Sequence, residues 1–256
     1  MKTCIWCCKS EPIVSFNNEA HTIPKSLGGK NICESVCDEC NSYFGNMHDK
    51  LPAIETVIKE TFNISRLILL DSSNEVGKNK SLARFKSVFF NVDLQKRSIR
   101  VKPKFSLRKN FQSDLGKVLR RGIFKIYLEE RERQIGDALD DKFNFIREFS
   151  RYNFGNYPVL YFKRKYGNMM MLPEWNKSPE LFMKDGFRMK YLMNEYNYFE
   201  FELLGHVLGI PISRHYEISR EVYLRETSKK KKELFEKVFP INKFSDFDFT
   251  LSIMNG

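Results

Sequence analysis

Cys4-Ile5-Trp6-Cys7 and Cys37-Asp38-Glu39-Cys40 are two C-x2-C pairs. They stand about thirty residues apart, near the separation of paired zinc knuckles. Each pair can offer two thiolates from one tight turn. Two such turns complete a tetrahedron around Zn²⁺, an ion without a d-electron geometry of its own. A segment this small buries too little apolar surface to hold itself, so a structural zinc would supply folding energy. Cys8 and Cys33 are left over and read as ordinary thiols, buried or half-buried. Trp6 reads as packing on its knuckle. Between the pairs stands His21, and directly after the second pair stands Asn41. A neutral imidazole is well suited to taking a proton near neutral pH. Asn41 is bonded to Cys40, so a zinc knuckle would fix its position.

The intervening residues are Glu19-Ala20-His21-Thr22-Ile23-Pro24-Lys25-Ser26-Leu27-Gly28-Gly29, and Tyr43-Phe44-Gly45 follows Asn41. The order C-x2-C, H-x-I-P-K-S-L-G-G, C-x2-C-N-x2-F-G resembles the HNH (ββα-metal) endonucleases, in the four-cysteine, zinc-framed branch typified by phage endonuclease VII. The resemblance covers about residues 4–49. It implies cleavage of phosphodiester bonds in DNA, leaving 5′-phosphate and 3′-hydroxyl ends. Such hydrolysis needs a deprotonated water, neutralised phosphoryl oxygens and help for the departing oxygen. The resemblance assigns the first task to His21 as general base. It makes Asn41 a ligand or orienting residue for a catalytic Mg²⁺ or Mn²⁺, which would supply the rest.

One position departs from the pattern. Many members carry an acid immediately before the histidine, where this chain has Ala20. Glu19 would share a strand face with His21, and a bulge or bend could bring it to the metal. Otherwise the carboxylate comes from Asp49, or His48 is a third ligand, both about two turns along the helix expected after Asn41. Gly28 and Gly29 read as a turn rather than a phosphate-cradling loop.

These residues need elements to place them. The expected fold class is α+β: a small zinc-braced ββα-metal module over residues 1–51, then a mixed α+β domain of unassigned fold over 52–256. All six cysteines lie in 4–40, which marks the boundary. Pro52 opens a helix with Ile54, Val57, Ile58 and Phe62 on one face. The stretch 71–80 reads as a loop. Phe85–Val92 and Ser98–Phe105 read as a hairpin, with Ile99, Val101 and Phe105 on one side and Arg100, Lys102 and Lys104 on the other. Pro103 suggests an edge. Ser113 or Asp114 could cap a helix carrying Leu115, Val118, Leu119 and Ile126, and a second helix is expected around 137–150. Tyr157–Lys165 and Tyr198–Ile212 read as strands, and Glu217–Val238 as a charged helix with Lys229–Lys232 on a solvated face.

The chain has 256 residues and a formal net charge of +11. That excess favours a polyanionic partner, most commonly nucleic acid. Lys25, Arg100, Lys102, Lys104, Arg120 and Arg121 are the candidate contacts, with Lys117 and Lys125 extending the patch; an edge strand kept soluble by charge is the alternative. The apolar runs are too short to span a membrane, and no signal-peptide pattern opens the chain. A cytoplasmic protein with reduced thiols is expected. His206 and His215 read as core or surface residues. Residues 52–256 are expected to provide DNA contact, homodimerisation or sensing. With no nucleotide-binding motif, any energy-dependent step falls to a sensor or ATPase partner. Restriction, anti-phage defence and a mobile element all stay open as the protein's setting, and the sequence does not choose among them. Cleavage of RNA by the same site stays open. So does a non-catalytic zinc-ribbon module that binds nucleic acid, which Ala20 keeps in view.

Overall fold

A computed structural model describes residues 1–48, 50–72, 86–93, 98–165, 177–184, 187 and 189–251. Both helices and sheets are present, as expected of an α+β chain. Of the loop expected over 71–80, residues 71 and 72 close a helix and 73–80 lie outside the described residues, as does Asp49.

The N-terminal segment has little regular structure. A 3-10 turn spans Lys25–Leu27 and helix α1 spans Asp38–Gly45. His21 and Ile32 form one antiparallel bridge, flanked by Thr22 N–H to Asn31 O at 3.1 Å and Cys33 N–H to Ala20 O at 2.9 Å. This minimal hairpin and α1 make up the ββα unit. Gly28, at φ +83°, turns the chain out of the 3-10 turn, where a side chain would be strained.

Helix α2, Ile54–Ser72, begins just after Pro52. It buries Ile54, Val57, Ile58 and Phe62. Strands β1 (Phe90–Asp93) and β2 (Ser98–Val101) pair antiparallel. The expected second strand is shorter than its alternation suggested. Pro103 does not mark an edge but starts a short helix, α3, Pro103–Ser106, because its fixed φ suits a first helical turn.

Helix α4, Phe111–Ile135, is the central element. Every residue from Val118 to Glu130 is buried. Gly122 lets α2 lie close against it, since a Cβ there would meet Ile58 Cγ1 at 2.6 Å. Helix α5, Asn144–Ser150, follows a 3-10 turn at Asp141–Phe143, so the helix expected over 137–150 is only half as long. A five-stranded antiparallel sheet completes the fold in the order β4-β5-β6-β3-β7. Its strands are β3 Leu160–Arg164, β4 Asn194–Glu195, β5 Tyr198–Leu203, β6 His206–Pro211 and β7 Phe235–Pro240. The single strand expected over 198–212 is thus a hairpin, turning at Leu204-Gly205, both at positive φ.

Helix α6, Glu217–Lys231, ends earlier than expected, and β7 takes the residues after it. Lys231 does not face solvent with its neighbours. It is buried and ion-paired to buried Glu200, which also accepts from Tyr223 at 2.8 Å. One apolar cluster runs from Cys4, Trp6 and Phe44 through Ile58 and Phe124 to Phe201 and Phe247. The N-terminal segment therefore packs directly on the elements that follow it. No helix among the described residues is long and apolar enough to cross a membrane.

Candidate active site

The sulfurs of Cys4, Cys7, Cys37 and Cys40 all lie within 4.8 Å of one another. A tetrahedral ion with Zn–S near 2.3 Å sets its sulfurs about 3.8 Å apart, and Cys7 Sγ and Cys37 Sγ are 3.8 Å apart. The amides of Trp6 and Cys37 both donate to Cys4 Sγ at 3.4 Å, so backbone dipoles already favour a thiolate there. A hydrogen bond from the Cys40 thiol and these amides hold Cys4 down at about 5. Burial pushes Cys37 up to about 11, and the hydrogen bond to Cys4, followed by burial, raises Cys40 as well. Four sulfurs sharing protons in this way could hold a zinc ion. Cys8 is exposed and outside the cluster. Cys33 is buried, and desolvation raises its thiol far above its ordinary range.

His21 and Asn41 face one cleft of about 420 Å³ with Glu19, Lys25, Asp38 and Glu55 on its walls. His21 Nε2 is 3.6 Å from Glu19 Oε2, with the imidazole 16% exposed and the carboxylate 64% exposed. Asn41 Nδ2 donates to the carbonyl oxygen of Glu19 at 3.2 Å. Ala20 is buried at 1% exposure. An acid at position 20 would be driven into the core, whereas Glu19 is directed to the cleft. Asp38 is committed to structure. Its carboxylate accepts from Ser15 Oγ at 2.6 Å and from the amides of Asn17 and Asn18 at 3.0 and 2.8 Å. The Ser15 hydroxyl, helped by those amides, holds it down at about 2.

His48 is not on the cleft walls. Helix α1 ends at Gly45 rather than continuing two turns, and His48 stacks on Tyr43 at 4.1 Å. Its Nε2 lies 3.1 Å from Tyr43 O. The expected ligand at the far end of the helix therefore does not converge with Asn41. Glu55, in the first turn of α2, does reach the cleft and had not been singled out. Its place just past Pro52, where a new helix meets the end of the motif, was the available signal.

Beneath the cleft lies a buried charged network. Lys125 Nζ donates to His21 O at 3.0 Å and to Glu129 Oε2 at 2.7 Å, and lies 3.6 Å from Glu55 Oε1. Trp6 Nε1 donates to Glu129 Oε1 at 3.0 Å. Burial pushes Glu129 up to about 7 against the pull of Lys125. Burial also opposes the Lys125 charge, but Glu129 and Glu55 outweigh it and hold the ammonium above its ordinary range. Thr22 Oγ1 donates to buried Glu130 at 2.5 Å, and Arg147 Nε donates to Ile5 O at 2.8 Å.

The expected basic patch is not one surface. Arg120 donates to Asn156 Oδ1 and Tyr157 O, both at 2.8 Å, and Arg121 donates to Tyr43 OH at 2.6 Å and Ser150 O at 2.9 Å. Both are buried, with Lys125. Lys117 lies half-buried beside them, 3.4 Å from Asn153 O. Lys102 Nζ donates to Ser87 O at 2.6 Å. Only Arg100 and Lys104 of the strand set are exposed, Lys104 over the Phe105 ring on α3, and Lys25 is exposed at the cleft. His206 is a core residue between Ser65 Oγ at 2.9 Å and Tyr161 OH at 3.1 Å.

No curated protein and no solved structure matches the chain. Residues 4–52 match the model of the HNH endonuclease family, which places the four clustered cysteines, His21 and Asn41 in an HNH-type segment.

Proposed function

We propose that this protein is a metal-dependent endonuclease that hydrolyses phosphodiester bonds in DNA, with residues 1–51 as its nuclease module and 52–256 as its support and contact region. One observation carries the reading: Glu19, His21 and Asn41 share a single cleft inside the HNH-type segment. His21 accepts a proton from the attacking water. The Glu19 carboxylate, 3.6 Å from Nε2, stabilises the imidazolium that results. Asn41 spends its amide N–H on Glu19 O, which leaves its side-chain oxygen as the acceptor end.

The donors present are hard: carboxylates of Glu19 and Glu55 and an amide oxygen at Asn41. They suit Mg²⁺ or Mn²⁺ rather than the softer ion of the thiolates. When bound, such an ion neutralises phosphoryl charge and assists the departing oxygen. Lys25, exposed at the rim, is placed to meet a phosphate. Purified protein incubated with supercoiled plasmid should yield nicked or linear DNA with Mg²⁺ or Mn²⁺ and none with EDTA. Binding without cleavage under every metal condition would favour the second reading, a zinc-ribbon nucleic-acid-binding module without catalysis. An RNA substrate in parallel decides between the two nucleic acids.

A further inference from the structure

We propose that Lys125, which lies far outside the HNH-type segment, is the positioning residue for His21. The inference rests on the nuclease reading only for the role of the imidazole. The strand end that carries His21 has only short pairing within its own segment: one bridge, to Ile32, with Thr22 N–H to Asn31 O and Cys33 N–H to Ala20 O beside it, and a two-stranded pairing is marginal by itself. The ring is not anchored at its inner nitrogen either: Nδ1 is buried and has no hydrogen-bond partner among the described residues. What aims the imidazole into the cleft must therefore hold the backbone.

Helix α4 does so at two consecutive residues. Lys125 donates to His21 O at 3.0 Å, and Glu130 accepts from Thr22 Oγ1. The ammonium is 1% exposed, and an ion so placed is costly unless its hydrogens meet fixed acceptors. It has three to direct. One goes to His21 O and one to Glu129, which also holds Trp6 of the first zinc knuckle, while Glu55 of the cleft wall lies 3.6 Å away. A single cation thus ties together the strand end, the knuckle and a cleft carboxylate.

The test compares two charge-neutral pairs of substitutions, each with Glu129→Gln to avoid a stranded buried carboxylate. Lys125→Met removes the donor to His21 O; Lys125→Gln keeps an N–H on a slightly shorter arm. Both should retain zinc. With the methionine pair, kcat on plasmid should fall roughly 100-fold with KM little changed, the scale of a small misplacement of a reacting group. The His21 ring resonances, observed by selective labelling in the full chain, should move. The glutamine pair should recover part of both. Unmoved ring resonances and unchanged kcat in the methionine pair would overturn the assignment. If the wild-type protein cuts nothing, the nuclease reading falls, while the ring resonances still decide the positioning. If neither pair folds, the wild-type Lys125 ammonium decides: protons protected from exchange and close to the His21 carbonyl support the proposal, and free exchange refutes it.

Discussion

The side-chain amide of Asn41 reaches the backbone carbonyl of Glu19 at 3.2 Å, joining the helix that follows the second cysteine pair to the residue two before His21. A zinc at the cysteines would therefore act on the cleft through one covalent step, Cys40 to Asn41, and one hydrogen bond. The geometries of the cysteine cluster and of the cleft are coupled at that contact.

The first expected outcome concerns that coupling. Purified protein should carry about one Zn²⁺ per chain by elemental analysis. Cys40→Ser should lose the metal, and with it the dispersion of N-terminal amide signals. Full zinc retention in that variant would show that the four thiols do not share an ion.

His21→Ala should keep zinc, fold and DNA affinity while lowering the cleavage rate by at least about 100-fold, the usual scale for a general base. Single-turnover kinetics at pH 8 measures this. A wild-type rate would assign the proton transfer to another group.

Glu19→Gln should weaken Mn²⁺ binding, read by the paramagnetic signal of the ion, and leave Zn²⁺ in place. Added Mn²⁺ should restore part of the cleavage, because a lost ligand lowers affinity rather than removing chemistry. Glu55→Gln should have a smaller effect, since one oxygen of Glu55 already faces Lys125. Normal Mn²⁺ affinity in Glu19→Gln with a large loss in Glu55→Gln would transfer the ligand role to α2. Asp49→Asn is expected to matter least of the three.

Arg120→Gln should lower the unfolding free energy in urea by about 2–3 kcal/mol, because it removes charge-assisted bonds to Asn156 and Tyr157. The salt dependence of DNA binding should not change. Exposed Arg100→Ala should do the reverse: stability within about 0.5 kcal/mol and, where it meets a phosphate, a log-log salt slope smaller by about one. Equal effects of both variants on the slope would return Arg120 to the binding surface.

His206 sets an acid limit on stability. Burial, with Arg164 nearby, holds its imidazole well below the ordinary range. The unfolded chain takes up that proton below about pH 6.5, and the folded chain does not. The stabilisation is thus full above that pH and is lost progressively as pH falls below it. Urea midpoints from pH 7 to pH 5 should decline more steeply in wild type than in His206→Gln. In unfolding free energy the two slopes should differ by at most one proton, about 1.4 kcal/mol per pH unit. Parallel curves would mean the imidazole is not held neutral.

How much could be read in advance depended on the range over which each residue acts. The four-cysteine cluster is local chemistry. Two C-x2-C pairs about thirty residues apart have the spacing of a four-thiolate site, so the pattern could be read without the fold. Helices α2 and α4 followed from apolar periodicity, because burial on one side is written every three or four residues. The hairpin at Tyr198–Pro211 was misread as one strand because its turn, Leu204-Gly205, carries a single glycine and no Asn, Asp or Pro to mark it.

The charged residues were the part that sequence could not place. Arg120, Arg121, Lys125 and Lys231 read as surface, since an unpaired charge is excluded from a core. Each is buried because a partner distant in the chain meets it: Tyr157, Tyr43, His21 and Glu200. By itself the sequence determined the donors of the zinc cluster and the segment that holds His21 and Asn41. Only the tertiary structure decided that Glu55 joins their cleft, that His48 does not, and that α4 carries the cation beneath it. A charge can be buried only where its counter-charge or carbonyl already waits, and no residue states in its own neighbourhood which distant partner will arrive.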